Sequence, residues 1–157
     1  MLDINDSVPE FKLPATIVDT LSRQNLLGKY HVIYFYPKDN TPGCTNETKD
    51  FISLYGQFKD LNCEIIGWNN NPMKMHDKFM AKFEIPFPLV SDESLKSLED
   101  FGNWQLKKFM GKEYMGIVRS TFIIDQEAKV IKAYPKVRVK EHAQTVLNDL
   151  KELIKGK

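Results

Sequence analysis

Two thiols, Cys44 and Cys63, are the strongest nucleophiles this chain carries, and they stand in different company. Cys44 ends the stretch YFYPKDNTPGC, where a run of apolar and aromatic residues stops at Pro37 and a turn rich in Pro, Asp, Asn, Thr and Gly follows. Cys63 opens the apolar stretch CEIIGW and reads as a core residue. His31, His76 and His142 are isolated from one another, and no CxxC, HxxxH or HExxH spacing occurs, so a metal site is not expected. The chemistry to look for is that of sulfur.

Thr41 fits a helix N-cap, Pro42 the first helical position, where proline is favoured, and Cys44 the third. Backbone N–H groups without intrahelical partners point outward there, and the helix dipole is positive. Both favour the thiolate, which is the nucleophilic form. The plain alternative is that Cys44 acts as a small buried hydrophobe, as most free cysteines do. The tetrapeptide TPGC has the form of a CxxC redox motif with threonine in place of the first cysteine. Without that partner the easy intramolecular disulfide is gone, and a hydroxyl able to orient a small electrophile stands beside the thiol.

The elements that must position this thiol can be read from periodicity. Tyr30–Tyr36 is a continuous β-branched and aromatic run, as expected for a strand buried on both faces. Cys44, Phe51, Tyr55 and Phe58 recur at helical spacing and share one face of the following helix. Cys63–Trp68 reads as a second buried strand. Pro72 can start another helix with Phe79, Met80 and Phe83 inside, and Leu89–Val90 reads as a short strand. Ser91 or Asp92 fits the cap of a short helix ending at Gly102, and residues 103–118 read as a loop or irregular hairpin whose Trp104, Phe109 and Tyr114 pack the loop, the alternative being that they line an apolar entrance near the thiol. Thr121–Ile124 and Val130–Tyr134 read as strands joined by a turn. A final helix spans about 141–154 with Val146, Leu147, Leu150 and Ile154 inside. The alternation predicts an α/β fold with a mixed sheet and helices on both faces.

The chain of 157 residues has the length of one domain, and its 22 basic and 21 acidic residues leave a net charge of +1. That balance gives no basic field for nucleic acid. The start MLDINDSVPEF lacks the form of a signal peptide, and no apolar run approaches membrane-span length. A cytoplasmic protein without nucleic-acid or membrane partners is the expectation.

The run PKDNTPGC carries Pro37, Thr41 and Cys44 in a PxxxTxxC spacing and resembles the active-site segment of peroxiredoxins; FYPKDNTPGCTxE is similar to the bacterioferritin-comigratory, or peroxiredoxin Q, subfamily. FPLVSDES (residues 87–94) and RSTFIID (residues 119–125) continue the similarity over nearly the whole chain. The resemblance implies a single thioredoxin-like domain over residues 1–157, a monomer without cofactor. It implies that Cys44 reduces hydrogen peroxide and alkyl hydroperoxides and becomes a sulfenic acid. It further implies that Thr41 orients the peroxide, that the backbone N–H groups of Gly43 and Cys44 receive developing charge, and that Pro37 shields the thiolate. Arg119 would supply a fixed positive charge. Glu47, one helical turn from Cys44, would hold Arg119; otherwise it is a solvated helix residue.

The sequence departs from that subfamily where a resolving cysteine is usual: Lys49 stands five residues after Cys44, and residues 72–85 hold no cysteine. A one-cysteine cycle is expected, reset by thioredoxin, by glutaredoxin with glutathione or by another small thiol. Two alternatives stay open: Cys63 as an atypical resolving cysteine, and a redox-inert thioredoxin-like binding or holdase protein. Trp68, Asn69–Asn71 and Ala128 also differ from the subfamily, with no evident tie to the chemistry.

Overall fold

The computed structural model describes residues 1–156. Its centre is a seven-stranded mixed sheet built from β1 (Lys12–Ala15), β2 (Asp19–Ser22), β3 (Tyr30–Phe35), β4 (Cys63–Asn69), β5 (Leu89–Ser91), β8 (Ser120–Ile124) and β9 (Val130–Tyr134), in the order β2-β1-β5-β4-β3-β8-β9. Strands β3, β4 and β5 run parallel, and β8 runs antiparallel beside β3. Every residue of β3 and β8 is buried, which is why both segments are apolar or uncharged without alternation.

The sheet divides the core into two layers. On one face α1 (Pro42–Asp60), α2 (Met73–Phe83) and α4 (His142–Lys155) cover Tyr34, Tyr36, Ile65, Phe87 and Ile123, with Cys44, Phe51, Phe58, Phe79 and Val146 facing them. On the other, α3 (Lys96–Phe101) and the N-terminal segments enclose Phe35, Trp68 and Phe122. Trp68 is central there: it packs against Phe11, Phe35 and Phe101, and its indole N–H donates to Ser97 Oγ at 3.0 Å. Helices thus lie on both faces, as expected.

Three local expectations are corrected. The short helix starts at Lys96, after a left-handed Leu95, and not at Ser91 or Asp92. Asp92 still serves it from outside, its carboxylate accepting from the Ser97 backbone N–H at 2.8 Å. Residues 103–118 form a regular two-stranded hairpin, β6 (Trp104–Phe109) with β7 (Lys112–Ile117), joined by Met110 and Gly111, both at positive φ as a tight two-residue turn requires. Of Trp104, Phe109 and Tyr114, only Trp104 packs against the core; Phe109 is 66% and Tyr114 46% exposed. The N-terminal region holds the pair β1–β2 and a 3-10 turn over Arg23–Leu26.

Candidate active site

The parallel strands β3, β4 and β5 end at one edge of the sheet, and the loops leaving them bring polar groups together there. Thr41 closes the turn after β3 with extended backbone (φ −96°, ψ 156°), and Pro42 begins α1. The first intrahelical bond runs from Thr45 N–H to the Thr41 carbonyl at 2.8 Å. The N–H groups of Gly43 and Cys44 precede that bond and project from the positive end of the helix. Cys44 itself is 2% exposed and belongs to the core layer beneath α1.

Register brings the partner from far along the chain. Ser120 pairs with Phe35 at the last position of β3, so Arg119 lies just beyond the strand end, beside the turn. Its Nη2 donates to Cys44 Sγ at 3.2 Å, and its Nη1 donates to Glu47 Oε1 at 2.6 Å. A Cβ on Gly43 would stand 3.4 Å from Arg119 Nη2, so the guanidinium lies close over a residue without a side chain. Glu47 is 1% exposed and not a solvated residue, which removes that reading. Burial raises its carboxyl pKa to about 7 despite the opposing pull of Arg119, and its Oε2 has no hydrogen-bond partner among the described residues.

Thr41 is the N-cap by backbone position, but its hydroxyl donates to the Lys38 carbonyl at 2.8 Å instead of capping the helix. The oxygen lone pairs remain to accept a hydrogen bond. Pro37 is half-buried at the start of the same turn. Pro37, Thr41, Gly43, Cys44, Glu47 and Arg119 are therefore gathered at one sheet edge.

Cys63 is not. It pairs with Tyr30 at the first position of β3, whereas Cys44 follows the end of that strand. The length of α1 between them separates the two thiols by on the order of 20 Å, against the roughly 7 Å limit between Cα atoms for a disulfide. Burial, then the Glu64 charge, pushes the Cys63 thiol pKa up, and both cysteines are free.

Sequence reasoning missed a second polar group under the turn. Asp39, Asn69, Asn71 and His76 are all buried and joined by hydrogen bonds. The polar triplet Asn69–Asn71 directly after an apolar strand was the one signal that something had to be bound there. Among the described residues no group of three or more metal-ligating side chains occurs, and no helix is long and apolar enough to cross a membrane.

A profile of the AhpC/TSA family matches residues 4–133. The chain belongs to that family. Peroxiredoxin Bcp of Bacillus subtilis is 43% identical over 152 residues, covering 97% of both chains. Among solved structures, a cysteine-to-serine mutant of PrxQ from Xylella fastidiosa superposes with a TM-score of 0.92 at 33% identity, over 98% of each chain. The bacterioferritin comigratory protein of Xanthomonas campestris, described for its alkyl peroxide reduction activity, gives 0.89 at 37% identity over 97% of this chain and 98% of its own. The fold is that of thioredoxin-like peroxiredoxins, and the protein is a peroxiredoxin of the Bcp and peroxiredoxin Q group, a thiol-dependent peroxidase.

Proposed function

We propose that Cys44 is the peroxidatic thiol of a one-cysteine cycle that reduces hydrogen peroxide and alkyl hydroperoxides and is reset by an external thiol. The observation that carries this reading is the Arg119 donor 3.2 Å from a thiol at the start of a helix. The Cys44 thiolate attacks one peroxide oxygen. An S–O bond forms as the O–O bond breaks, and the leaving oxygen departs with a proton as water or an alcohol. Thr41, whose own O–H is spent on Lys38, accepts the peroxide O–H and holds the O–O bond in line with sulfur. The Gly43 and Cys44 N–H groups and the Arg119 guanidinium receive the charge that develops, acting as an oxyanion hole does. Pro37 brings no donor to compete with them, and Glu47 fixes the guanidinium from its far side.

An external thiol then attacks the sulfenic sulfur, releasing water and leaving a mixed disulfide, and a second thiol frees Cys44. Thioredoxin, or glutaredoxin with glutathione, supplies these thiols. Placement of Cys63 beyond the opposite end of α1 supports an outside donor over an internal one. We further read residues 1–157 as one domain acting as a cytoplasmic monomer; two unpaired thiols suit such a reducing compartment.

Intact mass after one equivalent of hydrogen peroxide tests the cycle. Gain of one oxygen is expected, and Cys44→Ser should abolish dithiothreitol-driven turnover while Cys63→Ser keeps it. Loss of two hydrogens without dimerisation would instead show a Cys44–Cys63 disulfide. An unchanged mass together with turnover in Cys44→Ser would sink the assignment.

A further inference from the structure

Asp39, at the middle of the turn before α1, is held by groups that take no part in the chemistry described above. Its Oδ1 accepts from the Tyr36 hydroxyl at 2.7 Å and from Asn69 Nδ2 at 3.1 Å, and its backbone N–H donates to Asn71 Oδ1 at 2.8 Å. Its Oδ2 lies 2.6 Å from Nδ1 of His76, a residue of α2 with 0% exposure. The other ring nitrogen, Nε2, lies 3.0 Å from the Val90 carbonyl of β5. A neutral imidazole carries one N–H, so facing two oxygen acceptors it would leave one lone pair opposed to another. Tyr36 and Asn69 already donate to the Asp39 carboxylate, so its second oxygen and the Val90 carbonyl are both met by N–H groups only when His76 carries a proton on each ring nitrogen. Both ring nitrogens then donate.

The pair is linked to the reacting sulfur through Tyr36. Tyr36, which donates to Asp39, belongs to the same core layer as Cys44. Burial first, and then the Asp39 charge, raise the Tyr36 hydroxyl pKa, and Cys44 adds to that rise. The groups around the pair are Tyr36 just past β3, Asn69 at the end of β4, Asn71 two residues beyond it, and the Val90 carbonyl from β5. Lys82 of α2 grips the neighbouring turn residue, donating to Asn40 Oδ1 at 3.1 Å.

We propose that His76 is a positioning residue of the peroxide site: as an imidazolium it pins Asp39, and with it the turn over residues 37–41, and cancels a buried negative charge that would otherwise oppose the Cys44 thiolate. The proposal rests on Cys44 being the reacting thiol.

Thiolate absorbance near 240 nm, with Cys44→Ser as the blank, reads the effect directly, alongside kcat/KM for hydrogen peroxide. His76→Gln should lower the ratio of thiolate to thiol at pH 7 by about tenfold, the effect of one nearby uncompensated charge. Adding Asp39→Asn to it should return that ratio to within about twofold of the native value, which repair of a merely loosened turn would not do. The proposal is overturned by a native ratio in His76→Gln, or by a double variant no closer to native than the single one. Ring nitrogen shifts of His76 in the unmodified protein, read by 15N NMR at pH 7, decide the matter even if His76→Gln fails to fold. Both nitrogens protonated is the expected result, and a bare nitrogen overturns it. Loss of the 240 nm signal and of turnover in Cys44→Ser is a separate requirement; their survival there would refute the site assignment itself.

Discussion

Arg119 uses two N–H groups of one rigid fork on two different partners, the Glu47 carboxylate and the Cys44 sulfur. A lysine ammonium is a point charge on a flexible stem and cannot span both in fixed geometry. Arg119→Lys should therefore lower kcat/KM for hydrogen peroxide by about 100-fold, the usual effect of losing one preorganised donor. Competition against a peroxidase of known rate measures it, and a loss under about threefold would show that positive charge alone suffices. At this scale the sequence was legible where the signal is local. Thr41, Pro42 and Cys44 announce a helix start within four residues. Arg119 was legible only through resemblance, because register, not spacing, brings it to the thiol. The Asp39–His76 pair was not legible at all: a buried acid and base 37 residues apart leave no periodic trace.

Among elements, the β3–α1–β4 unit sets the height of Cys44 above the sheet, and Gly67 lets it close. Gly67 sits in β4 between Tyr34 of β3 and Leu89 of β5. A Cβ there would stand 2.6 Å from Leu89 Cδ2 and 3.0 Å from the Tyr34 hydroxyl oxygen. That hydroxyl shares a hydrogen bond of 2.9 Å with Thr48, one turn along α1 from Cys44. Gly67→Ala should cost about 1–3 kcal/mol by overpacking, seen as a lower urea midpoint with an unchanged slope. An unchanged midpoint would mean that Leu89 and Tyr34 move aside freely. Strands β3 and β4 were readable because burial on both faces forces a continuous apolar run. The β6–β7 hairpin was not, since most of its residues face solvent on both sides and no alternation is imposed. Its one cue was Gly111 in the two-residue turn.

For the whole molecule, three buried groups titrate in opposite senses over overlapping pH ranges. Burial lowers the pKa values of His31 and His142 to about 4, the charges of Lys29 and Arg119 adding to this in turn. Their contribution to stability is full above the unfolded value near 6.5 and is lost as pH falls through about 4. Glu47 works the other way: with its carboxyl raised to about 7, its contribution is full below the unfolded value of 4.5 and is lost as pH rises through about 7. Between pH 6.5 and 4.5 the native state therefore binds fewer protons than the unfolded state at the two histidines and more at Glu47. The carboxyl offsets about one histidine. Glu47→Gln removes that offset, so the variant should lose stability on acidification from pH 6.5 to 4.5 more steeply than the native protein. The difference in slope should be about 1.4 kcal/mol per pH unit, one proton's worth. Urea unfolding at a series of pH values reads both slopes. Equal slopes would mean that Glu47 stays ionised against Arg119 throughout, with the ion pair prevailing over burial.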